Sequence, residues 1–211
     1  MRWLPVLFAL AACGRPARHD DQPPPLDRAQ VYPVIVPAGY LPNGPVRKPL
    51  IAGLEVALVE QHDTGSAGGV ARYLRPEDLG GLPVDDAYKL GLDNLEAAAK
   101  RQAIPIRGAT NGSGKVEMVI WGTDFRAATA VLLPGVAQMA QQQLGPGTLL
   151  ALIPHRDVLV LMNDGPGRDA AVTSVLDAEK GARKPITPRV LRVVPSDQPF
   201  WVKPPVAWLD Q

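Results

Sequence analysis

The chain has 211 residues, 46% hydrophobic and 20% charged, which suffices for one sizeable core and is awkward for two. Its 22 basic and 21 acidic residues nearly cancel, which excludes a strongly basic nucleic-acid binder and an acidic solvating tail. A single Cys excludes an internal disulfide and a multi-cysteine metal site, and the 23 prolines require an explanation.

The chain opens with Arg2 and an unbroken apolar run, Trp3 to Ala12. That run is about half the ~20 residues a membrane-spanning helix needs, so residues 1–12 read as a secretory signal. It is short even for a signal, which points to a start upstream of Met1. Leu10-Ala11-Ala12-Cys13 resembles the lipobox of bacterial lipoproteins, and the only Cys in the chain closes it. Cys13 is therefore the expected lipidation site, carrying a thioether-linked diacylglycerol and an N-acyl chain. More than one acyl chain makes anchoring stable. Gly14, where Asp would resemble an inner-membrane retention signal, favours the outer membrane. Without Arg2 the basic and acidic residues number 21 each, so charge does not hold the domain to anionic lipid.

Residues 13–30 carry Pro16 and Pro23-Pro24-Pro25 and no apolar period, which predicts a Pro-rich tether reaching roughly 50 Å. Residues 31–53 contain β-branched residues, but Pro33, Pro37, Pro42, Pro45 and Pro49 exclude a central strand. An irregular surface arm is expected there, with Tyr32 and Tyr40 packed down. Strands at 54–60 and 70–74 form a hairpin around a turn beginning Asp63-Thr64-Gly65-Ser66. A helix follows over about 84–101, with Asp85 and Asp86 at its positive end and Val84, Tyr88, Leu92, Leu95 and Ala99 on its buried face.

Ile104 to Ile106 reads as a short extended piece, Asn111-Gly112 as a turn and 116–121 as a strand. Residues 125–143 read as helical and broken at Pro134, with Gly145 as cap. Two nearly continuous apolar strands, 148–153 and 158–162, flank Pro154-His155-Arg156-Asp157 and belong at the centre of a sheet. A helix over about 167–180 and a strand over 190–194 complete the regular part. The tail, 195–211, holds Trp201 and Trp208 and is expected to be irregular. The order strand-strand-helix recurs three times, so the fold class is α+β: a single domain with a mostly antiparallel sheet built from hairpins and about three packed helices.

Four stretches resemble the YtpQ-like family of bacterial proteins, a domain of unknown function. They are Tyr32-Pro33 through Tyr40-Leu41 with Pro49-Leu50; Arg72 to Leu79 with Leu92-Asp93-Asn94-Leu95; Leu152 to Leu159; and Pro185-Ile186-Thr187 before Val190-Leu191. The resemblance covers about 31–194. It implies an α+β domain and no established activity, and the signal, tether and tail depart from the commonly cytoplasmic members.

Candidate chemistry is sparse. Asp63-Thr64-Gly65-Ser66 spells the aspartic-protease signature, but Glu60-Gln61-His62 precedes it where a buried apolar strand end belongs, so a turn is expected. His62 beside Asp63 points to the opposite face of an extended chain. Gly112-Ser113-Gly114-Lys115 leads into a strand, unlike a phosphate loop. His19, His62 and His155 show no metal spacing, and no metal or other cofactor is implied. His155, Arg156 and Asp157 at the hairpin tip and Trp201 and Trp208 in the tail are the ligand- or partner-binding candidates.

The sequence thus predicts a lipid-anchored, periplasm-facing cell-envelope protein. Its expected role is non-enzymatic binding of a ligand or an envelope protein partner, with no nucleic acid. The alternative is an envelope hydrolase using Asp63, with His62, or the His155-Arg156-Asp157 hairpin.

Overall fold

The structure, a computed structural model, describes residues 25–62, 70–182, 185–194 and 196–209. The residues expected as signal and lipidation site, most of those expected as tether, and Asp63 lie outside the described residues. Among the described residues, ten strands and three α-helices form an α+β fold with two antiparallel sheets where one was expected. Among the described residues no helix is long and apolar enough to cross a membrane.

The first sheet begins with β1 (Val31–Pro37), which is buried along almost its whole length. It pairs antiparallel with β3 (Leu54–His62), whose other side pairs with β2 (Arg47–Ile51) and β4 (Val70–Tyr73) end to end. The expected surface arm is therefore a buried edge strand. Its prolines explain how. On the side facing away from β3, Pro33 and Pro37 have no N–H to leave unsatisfied. The Ile35 amide donates to Thr129 Oγ1 at 3.2 Å, and the Val31 carbonyl accepts from Asn94 Nδ2 at 2.9 Å. Tyr32 is buried as expected, but Tyr40 is 58% exposed, because it lies in the turn beyond β1.

Helix α1 (Val84–Lys100) packs on β1 and β3. Its buried residues are Ala87, Tyr88, Gly91, Leu95 and Ala98, so the stripe is turned from the expected one, and Val84 is 37% exposed. Small residues win the contact because helix and strand approach closely. A Cβ on Gly91 would sit 3.2 Å from Pro33 Cδ and 3.4 Å from its nitrogen. Tyr88 Oη donates to the Val56 carbonyl at 2.7 Å.

The second sheet runs β10-β9-β7-β8-β6-β5. Its members are β5 (Ile106–Thr110), β6 (Val116–Gly122), β7 (Leu149–Leu152), β8 (Val158–Asn163), β9 (Leu191–Val193) and β10 (Val206–Trp208). The apolar pair β7 and β8 is central, as expected. β5 and β6 form a further hairpin in place of the short extended piece at 104–106. Their turn is closed by Asn111 Oδ1, which accepts from the Ser113 and Lys115 amides at 3.0 and 3.1 Å.

Both faces of this sheet are covered. Leu149, Ala151, Leu159, Leu161, Val119 and Trp121 join the main core. Leu150, Leu152, Val158, Val160 and Met162 form a second cluster under α3 (Arg168–Ala178). The helical stretch broken at Pro134 is a 3-10 turn, Ala128–Leu132, followed by α2 (Pro134–Leu144). The 3-10 turn touches β1 of one sheet and β8 of the other, and so joins them.

The tail is not irregular throughout, because β10 adds an edge strand beside β9. Trp208 Nε1 donates to the Ala52 carbonyl of the first sheet's β2–β3 turn at 2.9 Å, and the Arg189 guanidinium lies 3.9 Å from its ring centroid. Trp201 packs on Tyr88 and Phe200 at centroid distances of 5.7 and 5.0 Å.

One charged network lies inside the first sheet. Glu60 is 1% exposed. Its Oε1 accepts the Asp27 amide at 2.7 Å, and its Oε2 lies 2.9 Å from Arg72 Nη2 and 3.1 Å from His62 Nε2. Arg72 is its cross-strand partner and reaches on to Asp78 Oδ1 at 2.7 Å. Burial pushes the Asp78 carboxyl up, but hydrogen bonds from the Arg75 amide and the Arg72 side chain outweigh it and hold it below the usual range.

Replacing Gly91 by Val is expected to destabilise the fold by about 2 kcal/mol in urea denaturation, since the added methyls meet the backbone of β1. Arg72→Met, which strands the buried Glu60 charge, is expected to cost about 2 kcal/mol at neutral pH. Asp78 is depressed in the fold, so its contribution is present above an unfolded value of about 4. It is lost as pH falls through the lower folded value. Asp78→Asn should therefore flatten the stability profile below about pH 4, and an unchanged acid limb would refute the network.

Candidate functional site

The loop between β7 and β8 carries the three candidate residues His155, Arg156 and Asp157. Its backbone is fixed from two sides. The Arg156 carbonyl accepts the Ala128 amide at 3.2 Å, and residues 185–187 lie alongside, with the Ile186 amide donating to the Pro154 carbonyl at 2.9 Å.

This anchoring splits the three side chains. His155 and Asp157 turn to the α3 face and line a cleft of about 440 Å³. Arg156 turns the other way, toward Tyr73 and Phe125, with its guanidinium 5.7 Å from the Phe125 centroid. A single anion-binding loop that uses both His155 and Arg156 as donors does not form. Arg156 keeps one contact with its neighbour, Nε to Asp157 Oδ1 at 3.2 Å.

The cleft lies at the C-terminal end of α3, over β5, β6 and the start of β8. Its floor is apolar, with Ile120 and Val158. Register places Arg107 opposite Ile120, on the same face. Arg107 therefore forms the β5 wall, and Asp157 and Glu179 form the opposite wall. With β6 between β5 and β8, the cationic and anionic walls stand roughly 10 Å apart, two inter-strand spacings. The Arg107 side chain makes no hydrogen bond or ion pair with any described residue.

His155 Nε2 lies 2.8 Å from Glu179 Oε2, and Nδ1 accepts the Asp157 amide at 3.3 Å. Because a backbone N–H only donates, Nδ1 holds the lone pair and Nε2 the proton. Both ring nitrogens are thus committed inside the protein. The side chain is 12% exposed against 43% for Asp157, so Asp157 is the group presented to a ligand.

The rim contains one backbone outlier. Thr123 has φ of 61°, a left-handed conformation that β-branched residues avoid. Its neighbours hold it there. Asp124 accepts Arg126 Nε at 2.8 Å, Arg126 Nη2 at 2.6 Å and the Arg126 amide at 2.8 Å. The hydrogen bonds to Asp124 push the Arg126 guanidinium further up. Thr123 Oγ1 donates to the Gly122 carbonyl at 2.7 Å.

The remaining candidates lie elsewhere. His62 ends β3 in the first sheet, bound to Glu60, and does not line the cleft. Asp63 lies outside the described residues. Trp201 and Trp208 pack on their own domain. Among the described residues no group of three His, Cys, Asp or Glu could hold a metal ion.

Arg107, Thr123 and Glu179 carry no signal in the sequence that marks them as site residues. Arg107 lies between the expected extended piece and the Asn111-Gly112 turn, Thr123 at a junction between expected elements and Glu179 at a helix end. Only the pairing of β5 and the docking of α3 unite them. Glu60 was legible, because it shares the parity of Leu54, Val56 and Leu58 and so is a charge on the inward face of a strand. In comparisons with known proteins, no family model, no curated protein and no solved structure matches the chain.

Relieving the left-handed strain by Thr123→Gly is expected to raise stability by about 1 kcal/mol, the strain outweighing the entropy of the freer unfolded chain. Chemical denaturation checks this, and a lowered midpoint would show that Thr123 rests there without strain.

Proposed function

We propose that this is a lipid-anchored cell-envelope protein, held periplasm-facing by acyl chains on Cys13, whose domain binds a small ligand without transforming it. The ligand site is the cleft between Arg107 and the Asp157–Glu179 wall. The reading rests on one observation above all: the two walls carry opposite charge across an apolar floor. That arrangement suits a small zwitterion with an apolar body, whose anion meets Arg107 and whose cation meets Asp157. The volume lies within the range of small-molecule sites.

The lipobox and the single Cys support the anchor, and Gly14 favours the outer membrane. The resemblance to the YtpQ-like family carries no activity. A hydrolase working through the His155 hairpin would need a ring nitrogen free to take a proton. His155 has both engaged, which favours binding over catalysis.

Cys13→Ser is expected to abolish acyl labelling and membrane fractionation, and unchanged fractionation would sink the anchor. For the cleft, the Cys13→Ser chain is titrated with free amino acids and short apolar peptides and followed by NMR. Saturable shifts at Ile106, Arg107, Thr123 and Asp157 are expected. Arg107→Ala should weaken binding about tenfold, the effect of one lost charge-assisted contact. Shifts confined to other surfaces, or equal affinity in Arg107→Ala, would overturn the site.

A further inference from the structure

A second concavity lies between α1 and the C-terminal segment. It encloses about 340 Å³. Its apolar lining includes Leu92, Leu133 and Trp201. Beside the lining residues in the chain, Val202 follows Trp201 and is 63% exposed, and Val84 precedes Asp85 and is 37% exposed. These are two of the four large hydrophobics exposed on the described domain.

The charges around this groove are one-sided. Asp85, Asp86, Asp93, Glu96 and Asp197 line it with one lining base, Lys89, and the Lys48 ammonium covers one face of the Trp201 ring at 4.5 Å from its centroid. Two of the acids are already paired, Asp85 with Lys48 and Glu96 with Lys100 at 2.7 Å. Asp86 sits in the first turn of α1, where the helix dipole partly compensates it. Asp93 and Asp197 are left as exposed carboxylates flanking the apolar floor, with no hydrogen bond or ion pair to any described residue. The chain as a whole is nearly neutral, so this is local segregation of charge and not a property of the composition.

The geometry points to a docking site for a cationic peptide segment of a partner protein, carrying a bulky apolar residue between Lys or Arg. The apolar residue would lie on Leu92, Leu133 and Trp201, and the flanking cations would meet Asp93 and Asp197. Charge complementarity selects this occupant. An anionic lipid surface is repelled by the same carboxylates. Apolar contact supplies a term that salt does not screen, and the rim supplies one that it does. The site shares no lining residue with the Arg107 cleft.

The test uses the Cys13→Ser chain in detergent-free buffer, titrated with a short synthetic peptide of lysines around a central pair of leucines. Calorimetry gives the affinity and NMR the location. Expected are saturable binding with shifts at Leu92, Asp93 and Trp201, and affinity about tenfold lower for oligolysine of equal charge. The Asp93→Asn, Asp197→Asn double variant should bind about tenfold more weakly at low salt, with the difference closing at high salt. Its circular dichroism should be unchanged, because both substitutions are on the surface. Equal affinity in the double variant would overturn the proposal. So would equally tight binding of the glutamate counterpart, or shifts located away from the groove.

Discussion

The buried course of β1 is the constraint on which the arrangement depends. An edge strand inside a protein must satisfy every backbone group on its free side. Here two prolines remove donors, Thr129 accepts the Ile35 amide and Asn94 caps the Val31 carbonyl. Thr129 belongs to the 3-10 turn that also touches β8, so the bond that completes β1 also ties the first sheet to the second. Asn94 belongs to α1 and also holds the Arg28 carbonyl at 2.8 Å, fixing where the N-terminal segment meets the domain. Gly91 lets the helix close on the strand.

A second set of contacts secures the same region by charge. Glu60 is inside, and a buried carboxylate persists only when its oxygens are occupied. Asp27, Arg72 and His62 occupy them, and Arg72 carries the network to Asp78. The point where residues 27–28 meet the fold is therefore held by both Glu60 and Asn94. In the lipid-anchored reading, that junction transmits any pull between membrane and domain.

The two concave surfaces follow from how α1 and α3 sit. α3 covers only part of the outer face of the second sheet, and the uncovered end becomes the Arg107 cleft. The C-terminal segment folds back on α1 through Phe200 and Trp201, and the seam left beside it is the acidic groove. Phe200 and Trp201 of the tail thus build a wall of that groove. Trp208 does the equivalent for the sheets, bridging β10 to the β2–β3 turn.

The sequence by itself determined the elements whose signals are local. Three strand-strand-helix units, the span of α1, the break at Pro134 and the centrality of β7 and β8 follow from apolar period, helix ends and turn chemistry, which act within a few residues. Tertiary structure alone decided what depends on partners distant in the chain. Prolines that forbid a central strand permit a buried edge strand only if Thr129 and Asn94 arrive to cap it. Tyr40 and Trp201 differ in burial although both lie among prolines, because only Trp201 finds Tyr88. At the site, adjacency in sequence misled: His155, Arg156 and Asp157 are consecutive, yet the tip is pinned so that Arg156 faces away. Arg107, Thr123 and Glu179 share the cleft with His155 and Asp157 because sheet pairing and helix docking, not spacing along the chain, set which side chains meet.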